Sequence, residues 1–440
     1  MRSVSIMCGS GDGKGATIIA DNPRTSFRKR LREPVAWMTT ADIMAVLLAL
    51  SLPWSTSLVG IFGVVMVLAM VPTINVRAFV QLLKQPICVA PIALFALALV
   101  GTLWSDAVLG ARLHAISPTA KLLVLPFLFY HFERSPRGLS VFIAFLVSCT
   151  LLMVMSWVVA YEPRLALKSG TGHGVPVKNY IDQSQEFALC AVALAYPIAA
   201  LLRAKKDTVA LLLCAVVLGF LANMVFVVVS RTGLFSILIM LAVFVLLHVR
   251  WQSMLMILFA AAVAGVIAWS ASPPLQQRIS SIDREYHLYK EQGVPTSVGL
   301  RLEFYTKSLG FFAEAPIMGH GSGSIRGLFE RAAEGPAGSA AAEVIGNPHN
   351  QTLSVAVQWG AVGIVALYAM WFSHLLLFRG EGHASWIGLL VVVQNIATSL
   401  FNSHIFDFHE GWMYVLGVGV AGGMVMKACG TETPNAVETL

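Results

Sequence analysis

The chain has 440 residues, of which 57% are hydrophobic and only 12% are charged, and its mean hydropathy is +0.74. Soluble globular proteins carry about 25% charged residues, so the composition excludes a protein whose whole surface faces water. The formal net charge of +7 does not indicate nucleic-acid binding in such a chain. Membrane proteins commonly concentrate lysine and arginine in their cytoplasmic loops.

The first 34 residues form a polar, basic segment ahead of the first apolar run. A secretory signal would have a short apolar core followed by a cleavage site of small residues, and this segment has neither. Its stretch GSGDGKGAT lacks the spacing of a phosphate-binding loop and follows no strand. Residues 1–34 are therefore predicted to be a cytoplasmic tail.

Continuous apolar runs follow one another along the rest of the chain, whereas the strands of a membrane barrel would alternate apolar and polar residues. The sequence therefore predicts an all-α integral membrane protein with about twelve transmembrane helices. The predicted spans are 38–55, 57–74, 86–104, 117–132, 139–161, 183–202, 207–229, 233–249, 252–270, 351–378, 384–402 and 410–428.

One long polar segment divides these spans. Residues 35–270 carry the first nine spans, 271–350 form the large loop, 351–428 carry the remaining three, and 429–440 form a second tail. Basic residues recur in every second connection, which places both tails in the cytoplasm and the large loop in the periplasm. The basic residues of the predicted inner connections are Arg77, Lys84, Arg134, Arg137, Arg203, Lys205, Lys206, Arg250, Arg379 and Lys427.

The large loop contains a predicted amphipathic helix, in the stretch RLEFYTKSLGFFAEAPIMGHG (301–321). Its spacing would place Leu302, Tyr305, Leu309 and Phe312 on one apolar face. The glycine-rich stretch GHGSGS that ends this region (319–324) is interpreted as a flexible turn.

A polar cluster, NPHN (347–350), directly precedes the tenth span. Asn347 is a favoured helix N-cap and Pro348 suits the first helical position, so His349 is predicted in the first turn. The positive end of the helix dipole disfavours a charged imidazole there, and a neutral ring can act as a general base. The alternative is a capping motif with a solvent-exposed histidine.

Two arginines are candidate ligands for an anionic group. Arg231, in VVVSRTGLF, interrupts two apolar runs at the predicted outer boundary, and Arg301 lies in the amphipathic helix without a local acidic partner on its own face. A guanidinium group binds phosphate through a bidentate fork that lysine cannot copy. The alternatives are a snorkelling arginine at position 231 and a solvated helix charge at position 301.

Two further polar stretches are less informative. In NYIDQSQEF (179–187), an N-cap at Asp182 accounts for most of the polarity. NSHIFDFHEG (402–411) gathers His404, Asp407, His409 and Glu410, which are suitable ligands for a divalent cation, but their spacing matches no metal motif. The stretch is interpreted as a loop cluster, and neither a metal ion nor a cofactor is predicted. The cysteines avoid the large loop, so no disulfide framework is indicated.

Three motifs occur in a specific order: SRTG (230–233), SLGFFAEAPIMGHGSGS (308–324) and NPHNQTLSVAVQWGAVG (347–363). In their order and spacing they resemble the O-antigen ligase and polymerase superfamily, over roughly residues 180–375. The earlier spans resemble that superfamily only in topology. Each motif is short, so their common order carries the resemblance.

The resemblance implies an enzyme of the bacterial inner membrane that moves a glycan from undecaprenyl pyrophosphate at the periplasmic face, without a nucleotide sugar or a metal ion. A chain with one loop of this length most resembles the ligase, whose acceptor is lipid A-core. His349 is then the catalytic histidine, and Arg231 and Arg301 bind the pyrophosphate. The other residues predicted to contact substrate are Ser230, Asn347, Asn350 and Tyr305.

Two alternatives remain open from the sequence. A polymerase of the same superfamily would use a second lipid-linked repeat as its acceptor. A transporter would bind its substrate near the membrane midplane, between broken helices that recur in two halves of the chain. The predicted spans carry few charges at mid-depth, and their polar residues gather at one face, as an enzyme acting on lipid-linked substrates requires.

Overall fold

The computed structural model describes residues 34–248 and 251–431, so nearly all of both predicted tails lies outside the described residues. Within the described ranges, every regular element is an α-helix or a short 3-10 helix. The α-helices are α1 (Pro34–Ser51), α2 (Thr56–Met70), α3 (Val76–Leu83), α4 (Pro86–Val100), α5 (Leu109–Ala120), α6 (Leu125–Phe132), α7 (Gly138–Tyr161), α8 (Tyr180–Ala193), α9 (Ala195–Arg203), α10 (Asp207–Phe226), α11 (Arg231–His248), α12 (Trp251–Ala271), α13 (Pro273–Gln292), α14 (Ser297–Glu314), α15 (Ile325–Arg331), α16 (Gln351–Leu377), α17 (His383–Thr398) and α18 (Phe408–Thr431).

The helices confirm the prediction of an all-α, multi-pass membrane protein. Among the described residues, eight helical segments are long and apolar enough to cross a membrane, or nine if the bent pair α3 and α4 forms one span. Three shorter apolar helices occupy the remaining predicted spans, at Val35–Ser51, Phe259–Ala271 and His383–Thr398. Each predicted span therefore coincides with an apolar helix. The number of crossings and the side that each loop faces stay predictions.

Glycines bring the last helix against the centre of the bundle. A Cβ atom at Gly422 of α18 would lie 2.3 Å from the ring of Phe129 in α6, and one at Gly423 would lie 2.6 Å from Phe132 Cβ. Helices in a membrane gain little from burying apolar area against each other, so they rely on such close approach. The contact packs α18 against α6, and the loop that precedes α18 carries part of the site described below.

The segment 271–350 folds onto one end of the bundle as α13, α14 and α15. The buried face of α14 consists of Phe304, Ser308 and Phe311, with Phe329 of α15 packed against both phenylalanines. The predicted apolar stripe is not the face that packs on the bundle, because Leu302 and Leu309 are 39% and 56% exposed. Because Ser308 is small, the adjacent face of α14 can approach the bundle. Helical spacing alone does not reveal which of the two faces is buried.

The glycine-rich stretch 319–324 is not a free turn. Gly319 has φ of +64° and lies so close to α16 that a Cβ atom there would be 2.5 Å from the Gln358 carbonyl carbon. The backbone N–H of His320 donates to the Val357 carbonyl oxygen at 2.9 Å. The helix itself is interrupted at Gly360 (φ 60°, ψ −154°), and this interruption exposes backbone groups to which the stretch binds.

Candidate functional site

The NPHN cluster does not begin the helix where the sequence predicts. Asn350 is the N-cap of α16, and its side-chain oxygen accepts a hydrogen bond from Leu353 N at 3.0 Å. Asn347 instead accepts from the backbone N–H of His349 at 2.9 Å, which forms a tight turn before the helix. The prediction of an N-cap at Asn347 is wrong, and His349 lies outside the first helical turn.

His349 adopts a left-handed backbone conformation, with φ of +53°. Few residues other than glycine do so, although histidine and asparagine are among those that do. The half-buried imidazole stacks beside the Phe304 ring, with 6.1 Å between ring centroids and 27° between planes. Its Nδ1 lies 2.9 Å from Oδ1 of Asn402, in the loop between α17 and α18.

The hydrogen-bond network around His349 fixes which ring nitrogen carries the proton. Asn347 Oδ1 must accept, because the backbone N–H of His349 and the Ser403 hydroxyl both donate to it. Its Nδ2 therefore donates to Asn402 Oδ1, at 3.2 Å. Since Asn402 presents an acceptor to His349, Nδ1 of a neutral ring carries the proton. Nε2 then carries the lone pair and is available to accept a proton.

Burial is the main influence that favours the neutral form of His349. Removal of the ring from water lowers the pKa of His349, and the positive charge of Arg301 lowers it further, against the opposing hydrogen bond to Asn402. The prediction of a neutral imidazole therefore agrees with the structure, but the expected cause, a helix dipole acting within the first turn, does not apply.

Asp407 completes a chain of polar side chains behind His349. Asn402 Nδ2 donates to Asp407 Oδ2 at 2.6 Å, and the Lys121 ammonium group donates to the Asp407 carbonyl oxygen. Burial raises the pKa of Asp407 to about 7. Asn402 was not among the predicted site residues, because the stretch 402–411 carries no local sign of a contact with His349.

The residues of that cluster have separate partners. His404 Nδ1 lies 2.8 Å from the Thr398 hydroxyl, whereas His409 lies 2.7 Å from Lys178 Nζ and 3.7 Å from an Asp182 oxygen. Among the described residues, no three His, Cys, Asp or Glu side chains are placed to hold a metal ion. The N-cap predicted at Asp182 is also wrong, since Asn179 caps α8.

Tyr305 and Asn350 hold the backbone around His349. The Tyr305 hydroxyl lies 3.1 Å from the His349 carbonyl oxygen and 2.5 Å from that of Leu400. Asn350 Nδ2 donates to the same Leu400 oxygen at 3.3 Å. Both side chains therefore tie the histidine turn to the loop that carries Asn402.

Arg301 lies one helical turn before Tyr305 on α14, and its charge reaches His349. Its one side-chain hydrogen bond within the described part of the chain is a long contact of 3.4 Å from Nη1 to the Ser297 hydroxyl. Most of its donors are therefore open to an anionic ligand beside the imidazole.

Arg231 makes a different set of contacts. Its Nε donates to the Arg278 carbonyl oxygen at 2.8 Å, and its Nη2 donates to Ser281 Oγ and Glu285 Oε1, both at 2.6 Å. Burial alone would raise the pKa of Glu285, but the hydrogen bond and charge of Arg231 outweigh it and lower the pKa. Arg231 thus secures α13 to α11 instead of presenting an open guanidinium group.

The Arg231–Glu285 pair also supports Arg301. Glu285 Oε2 accepts from the backbone N–H of Val298, in the first turn of the helix that carries Arg301. Ser230 is buried, and its hydroxyl accepts from Gly233 N at 3.2 Å, so it caps the start of α11. The structure therefore groups His349, Arg301, Tyr305, Asn347 and Asn350 together, and joins Arg231 to them through α13.

The geometry agrees with what comparison with known proteins finds. No curated protein gives a significant match to the chain. A family model described as O-antigen ligase matches residues 214–368, a range that includes Arg231, Arg301 and His349. The match over this part of the chain supports its placement in the O-antigen ligase and polymerase superfamily.

Proposed function

We propose that the protein is an O-antigen ligase, which transfers O-antigen from undecaprenyl pyrophosphate to lipid A-core at the periplasmic face of the bacterial inner membrane. One observation carries the proposal: His349, with an available Nε2, lies close enough to the open guanidinium group of Arg301 for that charge to lower its pKa. A base next to a phosphate-binding cation is what glycan transfer from a lipid pyrophosphate needs.

His349 would act on the acceptor. Its Nε2 takes the proton of the acceptor hydroxyl while the hydroxyl oxygen forms a bond to the anomeric carbon of the donor glycan. The bond from that carbon to the pyrophosphate oxygen breaks, and the pyrophosphate leaves with the electron pair. In-line attack inverts the anomeric configuration. General-base assistance of this kind contributes about 10²–10⁴-fold.

Arg301 would stabilise the charge that develops on the leaving pyrophosphate. A fixed guanidinium group in a site shielded from water can do this without reorganising, so the proposal assigns no step to a metal ion or another cofactor. Arg231 supports the same site by holding α13 and, through Glu285, the first turn of α14. It would contact the pyrophosphate directly only after releasing Glu285.

Reconstitution of the purified protein with lipid-linked glycan and lipid A-core tests the proposal. We expect a gel shift of the core with the wild-type protein and none with His349→Ala. His287→Ala is the matched control, because this exposed histidine lies on α13 and forms its ion pairs with Asp283 and Glu291 of the same helix. Normal transfer by His349→Ala would refute the assignment of the base, and sensitivity to a chelator would refute metal independence.

The same assay separates the ligase from its alternatives. Extension of lipid-linked glycans without modification of lipid A-core would identify a polymerase. Movement of a labelled solute into the proteoliposomes without glycan transfer would identify a transporter. Only a glycan-modified core agrees with the proposal.

A further inference from the structure

An open cavity of about 600 Å³ lies next to the Arg231–Glu285 pair. Its walls are formed by the loop at 171–175, Tyr180 of α8, the segment 227–229 between α10 and α11, and one face of α13. Every third or fourth residue of α13 from Pro274 to Glu285 lines it, which is the spacing of a single helix face. The loop 171–175 faces this helix across the cavity.

Arg278 is held in place at the wall of this cavity. Its Nη2 donates to the Tyr180 hydroxyl at 2.8 Å, and its guanidinium carbon lies 5.2 Å from the centre of the Tyr180 ring. Its Nε is buried and has no acceptor among the described residues. A buried donor of a charged group is rarely left unpaired, so an acceptor from outside the chain is expected nearby.

The charges around the cavity leave it positive. Arg284 is exposed and lines the cavity, and it forms no ion pair with any residue that the structure describes. Among the described residues, Glu285 is the one carboxylate in the lining, and Arg231 already neutralises it. Two guanidinium groups, those of Arg278 and Arg284, therefore remain without a compensating charge.

We propose that this cavity binds a phosphate group of a lipid-linked substrate through Arg278 and Arg284. The guanidinium fork matches phosphate oxygens in pairs, and the cavity adjoins the helix pair that positions Arg301. The inference rests on the proposed function, because that function supplies substrates with phosphate groups. Both the pyrophosphate of the donor and the phosphates of the acceptor have this chemistry.

Binding to the full-length protein in lipid nanodiscs tests the inference and separates the two sources. The probes are undecaprenyl pyrophosphate, lipid A-core and enzymatically dephosphorylated lipid A-core. The variants are Arg278→Gln, Arg278→Lys and Arg284→Gln. Arg326→Gln is the matched control, since Arg326 lies on α15 and pairs with Glu330. Thermal unfolding and gel filtration check that each variant is folded.

We expect each glutamine variant to bind one phosphate-bearing probe about tenfold more weakly than the wild-type protein, because a charge-assisted hydrogen bond is lost. Arg278→Lys should also bind weakly, since lysine lacks the fork. The probe that is affected identifies the substrate. A loss confined to native lipid A-core, with dephosphorylated core bound equally by all variants, would assign the cavity to the acceptor.

Wild-type affinity of both glutamine variants for both phosphate-bearing probes would overturn the inference. If the wild-type protein still modifies lipid A-core, the proposed function stands while the cavity assignment fails. If binding depends on the two arginines but no glycan transfer occurs, the cavity assignment stands while the proposed function fails. A wild-type protein that binds neither probe would overturn both.

Discussion

Replacing Asn402 by alanine would test whether this side chain sets which ring nitrogen of His349 carries the proton. The amide of Asn402 accepts from His349 Nδ1 at 2.9 Å and donates to Asp407 Oδ2 at 2.6 Å. Alanine removes both groups and leaves the protonated Nδ1 without its acceptor. The preference for a proton on Nδ1 over Nε2 is then lost, and a ring protonated on Nε2 cannot act as a base.

The expected cost follows from the hydrogen bond that is lost. Leaving a buried donor unpaired costs about 1–3 kcal/mol. If the whole of this energy is added to the activation free energy of transfer, the rate constant falls by about 5–150-fold, since about 1.4 kcal/mol corresponds to a factor of ten. Substrate contacts are untouched, so kcat should fall while KM stays close to the wild-type value.

The assay is the initial rate of glycan transfer, measured as a function of pH. The hydrogen bond to Asn402 raises the pKa of His349, so its removal lowers that pKa further. The acid limb of the kcat/KM profile should therefore move to lower pH in Asn402→Ala, below a reduced plateau. Asn402→Asp restores an acceptor and adds a negative charge, which favours imidazolium and should move the limb to higher pH.

Asn75→Ala provides a matched control for loss of folding. Its side chain accepts from Ala78 N at 3.1 Å as the N-cap of α3, so the substitution should cost about 1 kcal/mol of stability without changing the pH profile. A wild-type kcat and pH profile in Asn402→Ala would refute the reasoning, because the side chain would then have no part in setting the protonation of His349.

Three further substitutions have expected outcomes. Arg301→Gln should move the acid limb of any residual activity to higher pH, because the cation that lowers the pKa of His349 is gone; an unchanged limb would contradict this. Tyr305→Phe should lower kcat by about 2–10-fold through loss of one hydrogen bond, and an unaltered kcat would mean that the hydroxyl does not position the histidine. Gly360→Ala should sharply lower the unfolding temperature, since its Cβ would lie 2.3 Å from the carbonyl oxygen of Ile317. Gly310→Ala is the control and should not lower it, because the space around Gly310 is open.

The membrane helices could be predicted because hydropathy is a local property of the sequence. Each apolar run is helical in the structure, although the predicted spans 117–132 and 183–202 each divide into consecutive helical segments. The start of α16 could not be predicted with the same accuracy, because Asn347 and Asn350 are both good N-caps. The choice depends on contacts of Asn347 with Asn402 and Ser403, which lie 55 and 56 residues away.

The roles of the polar side chains depended even more on tertiary structure. His349 and its partner Asn402 are separated by 53 residues and by a whole helical hairpin. The carboxylate that engages Arg231 lies 54 residues along the chain, on a helix whose sequence carries no sign of that pairing. The motifs predicted that His349, Arg301 and Tyr305 lie near one another, whereas the different contacts of Arg231 became visible only in the distances.

The left-handed backbone at position 349 also limits which amino acids can replace the histidine without bending the chain. Alanine tolerates that region of φ and ψ poorly, so a knockout made with it changes the turn as well as the imidazole. Asparagine adopts this left-handed conformation more readily, and its side-chain amide cannot serve as a base. A pair of mutants, one with each residue, would separate damage to the loop from loss of chemistry, and a library selected only for correct folding should favour asparagine or glycine at this position.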